Sequence, residues 1–148
     1  MYLTRIIYYS QLASDVSKDF IIDESIIAEI LQASRNNNSK NNITGMLLYS
    51  GNYFLQCLEG ARSDVNETYN RILRDSRHNN AILLWYGEIA QRDFGIWDMG
   101  YVGGAEAREI IKTYSVGNDF NPHYMSGQSA LNLLKALKVL QDSKSTKS

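Results

Sequence analysis

The alternation of apolar and polar residues along the chain predicts seven main elements in the order βαββαββ. Period-two alternation is expected of strands, and apolar residues three or four apart are expected of helices. Two helices on one face of a five-stranded, mixed and mainly antiparallel sheet make an α+β fold of the ferredoxin-like kind. The predicted strands are 2–9, 43–49, 53–58, 81–89 and 96–102, and the predicted helices are 23–34 and 64–76.

Local signals set the expected ends of the two helices. Asp23 is a suitable N-cap for the first helix, whose apolar stripe ends near Ser34. The asparagine-rich segment Asn36–Asn42 is expected to be a loop. Asp64 and Glu67 have capping-box spacing and are expected to open the second helix.

Beyond the sheet, the pattern predicts two further helices at about 105–114 and 128–141. The resulting division is an α+β domain at 1–102, a helical cap at 103–142 and a disordered polar tail at 143–148. No repeat or linker composition indicates a second folded domain.

Composition narrows the class of protein. A chain of 148 residues with 44% apolar residues can form one core, and its net charge of −1 gives no argument for binding nucleic acid or an anionic membrane. The N-terminal residues do not resemble a signal peptide, and no apolar run reaches membrane-spanning length, so a cytoplasmic protein is expected. Cys57, His78 and His123 lack metal-ligand spacing, and Cys57 is expected to be a buried apolar group.

The hairpin that turns at Ser50–Asn52 carries the most informative residue. Gln56 shares a strand face with Phe54 and Leu58, and a buried amide costs about 1–3 kcal/mol for each polar group left unpaired. A polar partner is therefore expected, either a side chain or a bound ligand. Tyr8 faces the same groove between the two predicted helices, and a Tyr8–Gln56 hydrogen bond that satisfies both groups is the simpler alternative.

Other polar side chains are expected to converge on that groove. Arg71 and Asp75 are four residues apart on the second helix, where a surface ion pair is the plain explanation. The full set comprises Asn37, Asn38, Arg71, Asp75, Arg77 and His78.

Taken together, these residues resemble the BLUF family, the blue-light sensors that use FAD. The resemblance covers about Tyr2 to Val102, and the later residues are similar to the two-helix cap of short, stand-alone members. The matching motifs are RIIYYS at 5–10, NN at 37–38, ITG at 43–45, LLY at 47–49, FLQCLEG at 54–60 and WDM at 97–99.

The resemblance implies that FAD is held non-covalently, with its ring system between the two helices. Tyr8 would be the electron and proton donor, and Gln56 would bridge Tyr8 and the N5/O4 edge of the flavin. Asn38 would bond the pyrimidine edge, with Asn37 and Ser34 beside it. The ribityl and phosphate end would be lined by Arg71, Asp75, Arg77 and His78, and the last strand would place Trp97 and Met99 next to Gln56.

The function implied is a non-enzymatic photoreceptor that signals through protein–protein contact, with a response regulator or a transcription regulator as its partner. A homo-oligomer is expected because the last helix carries an apolar stripe, which could equally be buried against the sheet. Two alternatives stay open: a small flavin-dependent oxidoreductase, and a light-independent interaction module that has lost flavin. The stripe consists of Leu131, Leu134, Ala136 or Leu137, and Leu140.

Overall fold

A computed structural model of the chain describes residues 2–12, 24–95, 99–115 and 120–145. The predicted α+β architecture is confirmed, with five strands, four α-helices and one short 3-10 helix in the described part. In chain order the elements are β1 (Leu3–Leu12), α1 (Glu24–Lys40), β2 (Thr44–Ser50), β3 (Tyr53–Ala61), α2 (Arg62–Leu73), β4 (His78–Glu88), β5 (Gly100–Gly103), α3 (Gly104–Tyr114), the 3-10 helix (Pro122–Tyr124) and α4 (Gly127–Ser145).

The five strands form one mixed sheet in the order β4-β1-β3-β2-β5. Strand β1 runs antiparallel to both of its neighbours, β3 and β4, and β2 pairs parallel with β5. The β2–β3 hairpin closes through Gly51 and Asn52, both at positive φ, which is the backbone geometry that suits the twist of a two-residue hairpin. The predicted turn at Ser50–Asn52 is therefore confirmed.

Helix α1 is longer than its sequence predicts. It continues through the asparagine-rich segment to Lys40, so the expected loop at Asn36–Asn42 is wrong for most of its length. Asn38 is buried, and its carbonyl accepts the N–H of Ile43, which gives the end of the helix a partner. The chain leaves the helix at Asn42, whose φ of 53° is the left-handed conformation common after helix ends.

Helix α2 begins directly after β3. Its N-cap is Ala61 without a side-chain cap bond, so the predicted opening at Asp64 is two residues late and Asp64 lies in the first turn. The helix ends at Leu73, short of the expected 76. The proposed cap Asp23, and most of the loop before it, lie outside the described residues.

The sheet is covered on both faces, and β2 and β3 are accordingly buried along nearly their whole length. Helices α1 and α2 pack on the face of Ile6, Tyr8 and Leu58, whereas α3 and α4 pack on the face of Ile7 and Cys57. Cys57 is buried as expected.

The apolar stripe of α4 lies against the sheet rather than in solvent. Leu134 and Leu137 are fully buried, and Leu131 and Leu140 pack at the edge of the same cluster. Helix α4 runs to Ser145, three residues past the cap boundary predicted at 142, and residues 146–148 lie outside the described part. Among the described helices, none is long and apolar enough to span a membrane.

Candidate functional site

Tyr8 and Gln56 are brought together by strand register. They are direct partners in the antiparallel β1–β3 pair, and both face α1 and α2. Tyr8 is fully buried, Gln56 is 3% exposed, and the Tyr8 hydroxyl donates a hydrogen bond to Gln56 Oε1. The polar partner expected for Gln56 is therefore Tyr8, at the floor of the groove between the helices.

The second end of the Gln56 amide faces the start of the last strand. Gln56 Nε2 lies 3.5 Å from Met99 Sδ, and Met99 is buried just before β5. A thioether sulfur is a weak acceptor, so this end of the amide is held less strongly than the Oε1 end. The amide thus has one firm partner and one soft partner in the same pocket.

Tyr8 is held as a neutral phenol. Its pKa is raised well above the usual range, first by burial and then by neighbouring Tyr69 and Asp75. The Tyr69 ring packs against it with ring centroids 5.1 Å apart. At neutral pH the Tyr8 hydroxyl therefore carries its proton and acts as a hydrogen-bond donor.

One wall of the groove is built by amides of α1 that are tied to α2. Asn37 Nδ2 donates to Thr68 Oγ1 at 3.2 Å, and Arg71 Nη1 donates to Asn37 Oδ1. Asn37 also reaches Asn38 Oδ1 at 3.4 Å. These bonds align the end of α1 with the middle of α2 and leave polar side chains along the groove.

The end of the groove farther from Gln56 carries two arginines, one of which is held by an ion pair. Arg77 Nη2 lies 2.6 Å from Asp75 Oδ2, and Arg77 Nε lies 2.9 Å from Asp75 Oδ1. This two-pronged contact fixes the guanidinium plane. Arg71 donates to Asn37, so the surface ion pair suggested for Arg71 with Asp75 is replaced by a bond across the groove.

These walls line a narrow cleft of about 60 Å³ that opens to solvent. Seven of the residues predicted for the site line it, and Tyr8 lies beneath them. His78 begins β4, and its side chain is not among those described; Trp97 lies outside the described residues, so both roles stay predictions. The lining residues are Ile30, Ala33, Ser34, Asn37, Asn38, Gln56, Leu58, Thr68, Arg71, Ile72, Asp75 and Arg77.

Five lining residues were not predicted for the site, namely Ile30, Ala33, Leu58, Thr68 and Ile72. Thr68 is buried and lies one turn before Arg71 on α2, so the same helical face carries both. The spacing from Arg71 is the signal that would have found it. Ala33 gives no signal beyond its place next to Ser34, because its contribution is the room left by a small side chain.

A scan against family models matches residues 3–100 to BLUF, sensors of blue light using FAD. This match covers most of the chain, and the chain belongs to the BLUF family of blue-light flavin sensors. The resemblance drawn from the sequence is confirmed.

Individual relatives agree with the family match. The blue light- and temperature-regulated antirepressor BluF of Escherichia coli (strain K12) is 34% identical over 95 residues, which is 63% of this chain and 22% of that protein. The chain thus spans less than a quarter of that relative.

Two solved structures share nearly the whole fold. The photo-activated state of BlsA superposes with a TM-score of 0.79 at 30% identity, covering 91% of this chain and 94% of that one. The dark-state structure of BlrB gives 0.74 at 29% identity, covering 91% and 93%.

The donor set of the cleft fits a flavin. An amide floor at Gln56 and amide walls at Asn37 and Asn38 can pair with the polar edges of a planar ring, and apolar Ile30 and Ile72 can pack on its faces. The arginines at the open end suit phosphate. Within the described ranges, no group of three or more His, Cys, Asp or Glu residues could hold a metal ion.

Proposed function

We propose that this chain binds FAD in the α1–α2 cleft and responds to blue light by rearranging the hydrogen bonds of Gln56. The observation that carries the proposal is the buried Tyr8–Gln56 bond at the floor of the cleft. This bond places a protonated phenol next to an amide whose orientation can reverse. Both groups are out of contact with bulk water. The family match supports blue light as the stimulus.

Tyr8 would provide the electron and the proton. Flavin held in the cleft would supply blue-light absorption and one-electron oxidising chemistry. Tyr8 can release that electron and, at the same time, pass its hydroxyl proton toward Gln56 Oε1, which already accepts its hydrogen bond. Return of both the electron and the proton restores the phenol, so no net redox change is left in the protein.

The hydrogen-bond pattern of Gln56 would differ between the dark state and the light-induced state. With Oε1 on Tyr8 and Nε2 on Met99 Sδ, a half-turn of the amide exchanges a donor for an acceptor at both positions. A tautomer of the amide would exchange them equally. A difference of about 1–3 kcal/mol between the two patterns is enough for one of them to dominate in the dark and return thermally.

The open end of the cleft supports FAD as the flavin. Arg71 and Arg77 give it two guanidinium groups, which pair well with phosphate oxygens. The pair Asp75–Arg77 keeps one guanidinium in a defined plane. Asn38, Ser34 and His78 keep the roles proposed for them at the ring edge and the phosphate end.

The proposed output is a protein–protein signal from a non-enzymatic, cytoplasmic sensor. Tyr8 and Gln56 occupy the floor of the cleft, where a nicotinamide-dependent reductase needs an open approach to the flavin. A response regulator or a transcription regulator is the proposed partner. Self-association stays a proposal too, but the α4 stripe no longer supports it, since that stripe is buried.

Absorption spectroscopy of the purified protein tests the function. We expect flavin bands that shift to the red after a blue flash and return in the dark without bleaching. Bands that bleach instead would favour the flavin-dependent oxidoreductase, which aerobic NADH consumption would then establish. A colourless protein that cannot be reconstituted with FAD would favour the light-independent interaction module.

A further inference from the structure

Strand β4 exposes apolar side chains at an edge of the sheet, and the start of α4 at Gly127 packs against Leu84 and Trp85 of this strand. The sheet order places β4 at one end, with β1 as its only neighbour in the sheet. Four large apolar side chains of this strand are exposed: Ile82 by 42%, Leu83 by 48%, Trp85 by 38% and Tyr86 by 48%. Scattered apolar residues are ordinary on protein surfaces, but four within five consecutive positions form a patch.

The patch wraps around the edge instead of lying on one face. Residues directly opposite each other in an antiparallel pair share a face, so each β4 side chain takes the face of its β1 partner. Leu83 and Tyr86 therefore point to the α1–α2 side, and Ile82 and Trp85 to the α3–α4 side. The pairs are Ile6–Tyr86, Ile7–Trp85, Tyr8–Leu83 and Tyr9–Ile82.

The strand also lacks two of the usual protections of an edge, charged side chains and proline. Exposed edge strands normally carry lysine or proline, which discourage pairing with another chain. The nine residues Asn79–Gly87 contain no charge and no proline. Two register irregularities in β4, one at Leu84 and one near Asn80, twist the strand and limit a continuous ladder to a few residues.

We infer that β4 is a self-association surface, which pairs antiparallel with β4 of a second copy across a two-fold axis. A surface that is apolar on both faces of an edge needs a partner edge of the same kind. In the described sheet the other edge, β5, has only four residues, so the matching surface is β4 itself. An isologous contact then pairs apolar with apolar groups throughout.

The area fits a weak dimer. The four side chains expose roughly 350 Å² per chain, so two copies can bury at most roughly 700 Å² of apolar side-chain surface. Specific contacts require about 1,000 Å², so the paired backbone must supply the remainder. The inference rests on the proposed self-association and is independent of the light response.

Sedimentation velocity of the full chain in the dark tests the inference. We expect wild type to approach twice the 16.8 kDa chain mass at about 100 µM. Ile82→Lys and Tyr86→Lys, one on each side of the edge, should each weaken the dimer at least tenfold. The matched control is Val139→Lys, because Val139 is an apolar residue of α4 that is 65% exposed.

Circular dichroism and flavin absorption of each variant establish that it folds, and either edge variant alone is a sufficient test. A monomeric wild type overturns the inference and leaves the edge to a partner of different sequence. Loss of the dimer in Val139→Lys, with the edge variants unchanged, overturns it in favour of α4. Failure of the light response with the dimer intact would count against the proposed photochemistry alone.

Discussion

A single buried hydrogen bond links the two residues on which the proposed photochemistry depends. Tyr8 and Gln56 are partners across β1 and β3, so their contact follows from backbone register and needs no loop to hold it. The rigidity of the strands keeps the phenol and the amide in place while the amide itself can turn. Packing of Tyr69 on Tyr8 restricts the phenol further.

Removing either partner should separate flavin binding from light response. Gln56→Leu and Tyr8→Phe are expected to keep flavin, because the cleft walls are unchanged, and to lose the red shift that follows a blue flash. Difference spectra of the two variants against wild type provide the measurement. Cys57→Ala, next to Gln56 but on the opposite face, should keep the shift. A normal photocycle in both site variants would refute the mechanism.

Burial of the Tyr8 phenol should make stability depend on alkaline pH. An unfolded tyrosine ionises near pH 10, whereas the raised pKa of folded Tyr8 keeps its proton at higher pH. The folded state therefore binds more protons above about pH 10, and the free energy of unfolding falls there by up to about 1.4 kcal/mol per pH unit. Below pH 10 this contribution is fully present.

Urea unfolding between pH 8 and pH 11 measures this dependence. Burial also raises the pKa values of Tyr9 and Cys57, so wild type loses stability from several groups. Tyr8→Phe isolates one of them: its curve should be flatter above pH 10, whatever its stability at pH 8. Parallel curves for the two proteins would show that Tyr8 titrates normally.

The face of Gln56 and its need for a partner could be predicted from sequence, because period-two alternation decides which side chains share a strand face. The hydrogen bond between Asn37 and Thr68 could not be predicted. Their hydrogen bond joins two helices, and it depends on where each helix begins and ends. Helix ends are set by tertiary contacts as well as by local residues, which a single sequence does not display.

At the scale of elements, the sequence predicted structure correctly where the backbone conformation depends on neighbouring residues alone. The hairpin turn at Gly51 and Asn52 followed from residues that tolerate positive φ. The end of α1 did not, because asparagine disfavours helix interiors only weakly and the buried side chain of Asn38 overrides that preference. The start of α2 at Arg62 likewise follows from the preceding strand and not from a side-chain cap.

A buried ionic cluster fixes the segment after β4 and had no counterpart in the sequence analysis. Glu59 of β3 is fully buried and lies 2.7 Å from Arg5 Nη2 of β1. Its carboxylate also accepts the backbone N–H groups of Asp93 and Phe94. Lys138 of α4 donates to the Asp93 carbonyl at 2.6 Å, so the cluster joins the sheet to the cap.

Neutralising this carboxylate should destabilise the whole domain. Glu59→Gln removes one of the two carboxylates that pair with buried Arg5, the other being Asp93, and breaking a buried pair costs up to about 3–5 kcal/mol. Urea unfolding at neutral pH gives the difference. The matched control is Glu88→Gln, because its partner Arg62 is 54% exposed. Loss of this surface ion pair should lower the free energy of unfolding by no more than about 1 kcal/mol. Equal effects of the two changes would show that burial of Glu59 contributes nothing.

At the scale of the whole molecule, the cleft and the helical cap lie on opposite faces of one sheet. A short stretch of chain connects them. Met99 contacts Gln56 on the cleft side, Arg35 of α1 donates to the Met99 carbonyl at 3.1 Å, and β5 then runs directly into α3. A change at the Gln56 amide can therefore reach α3 through four residues of strand, whereas β1 separates β4 from Gln56 within the sheet.

Hydrogen–deuterium exchange in dark and light tests this route. Turning the amide replaces the contact between Gln56 Nε2 and Met99 Sδ, so we expect a several-fold change of exchange rate in β5 and the first turn of α3, with β4 unaffected. Gln56→Leu should abolish the difference. Light-dependent exchange that appears first in β4, or that survives in Gln56→Leu, would mean that the signal leaves the site by another path.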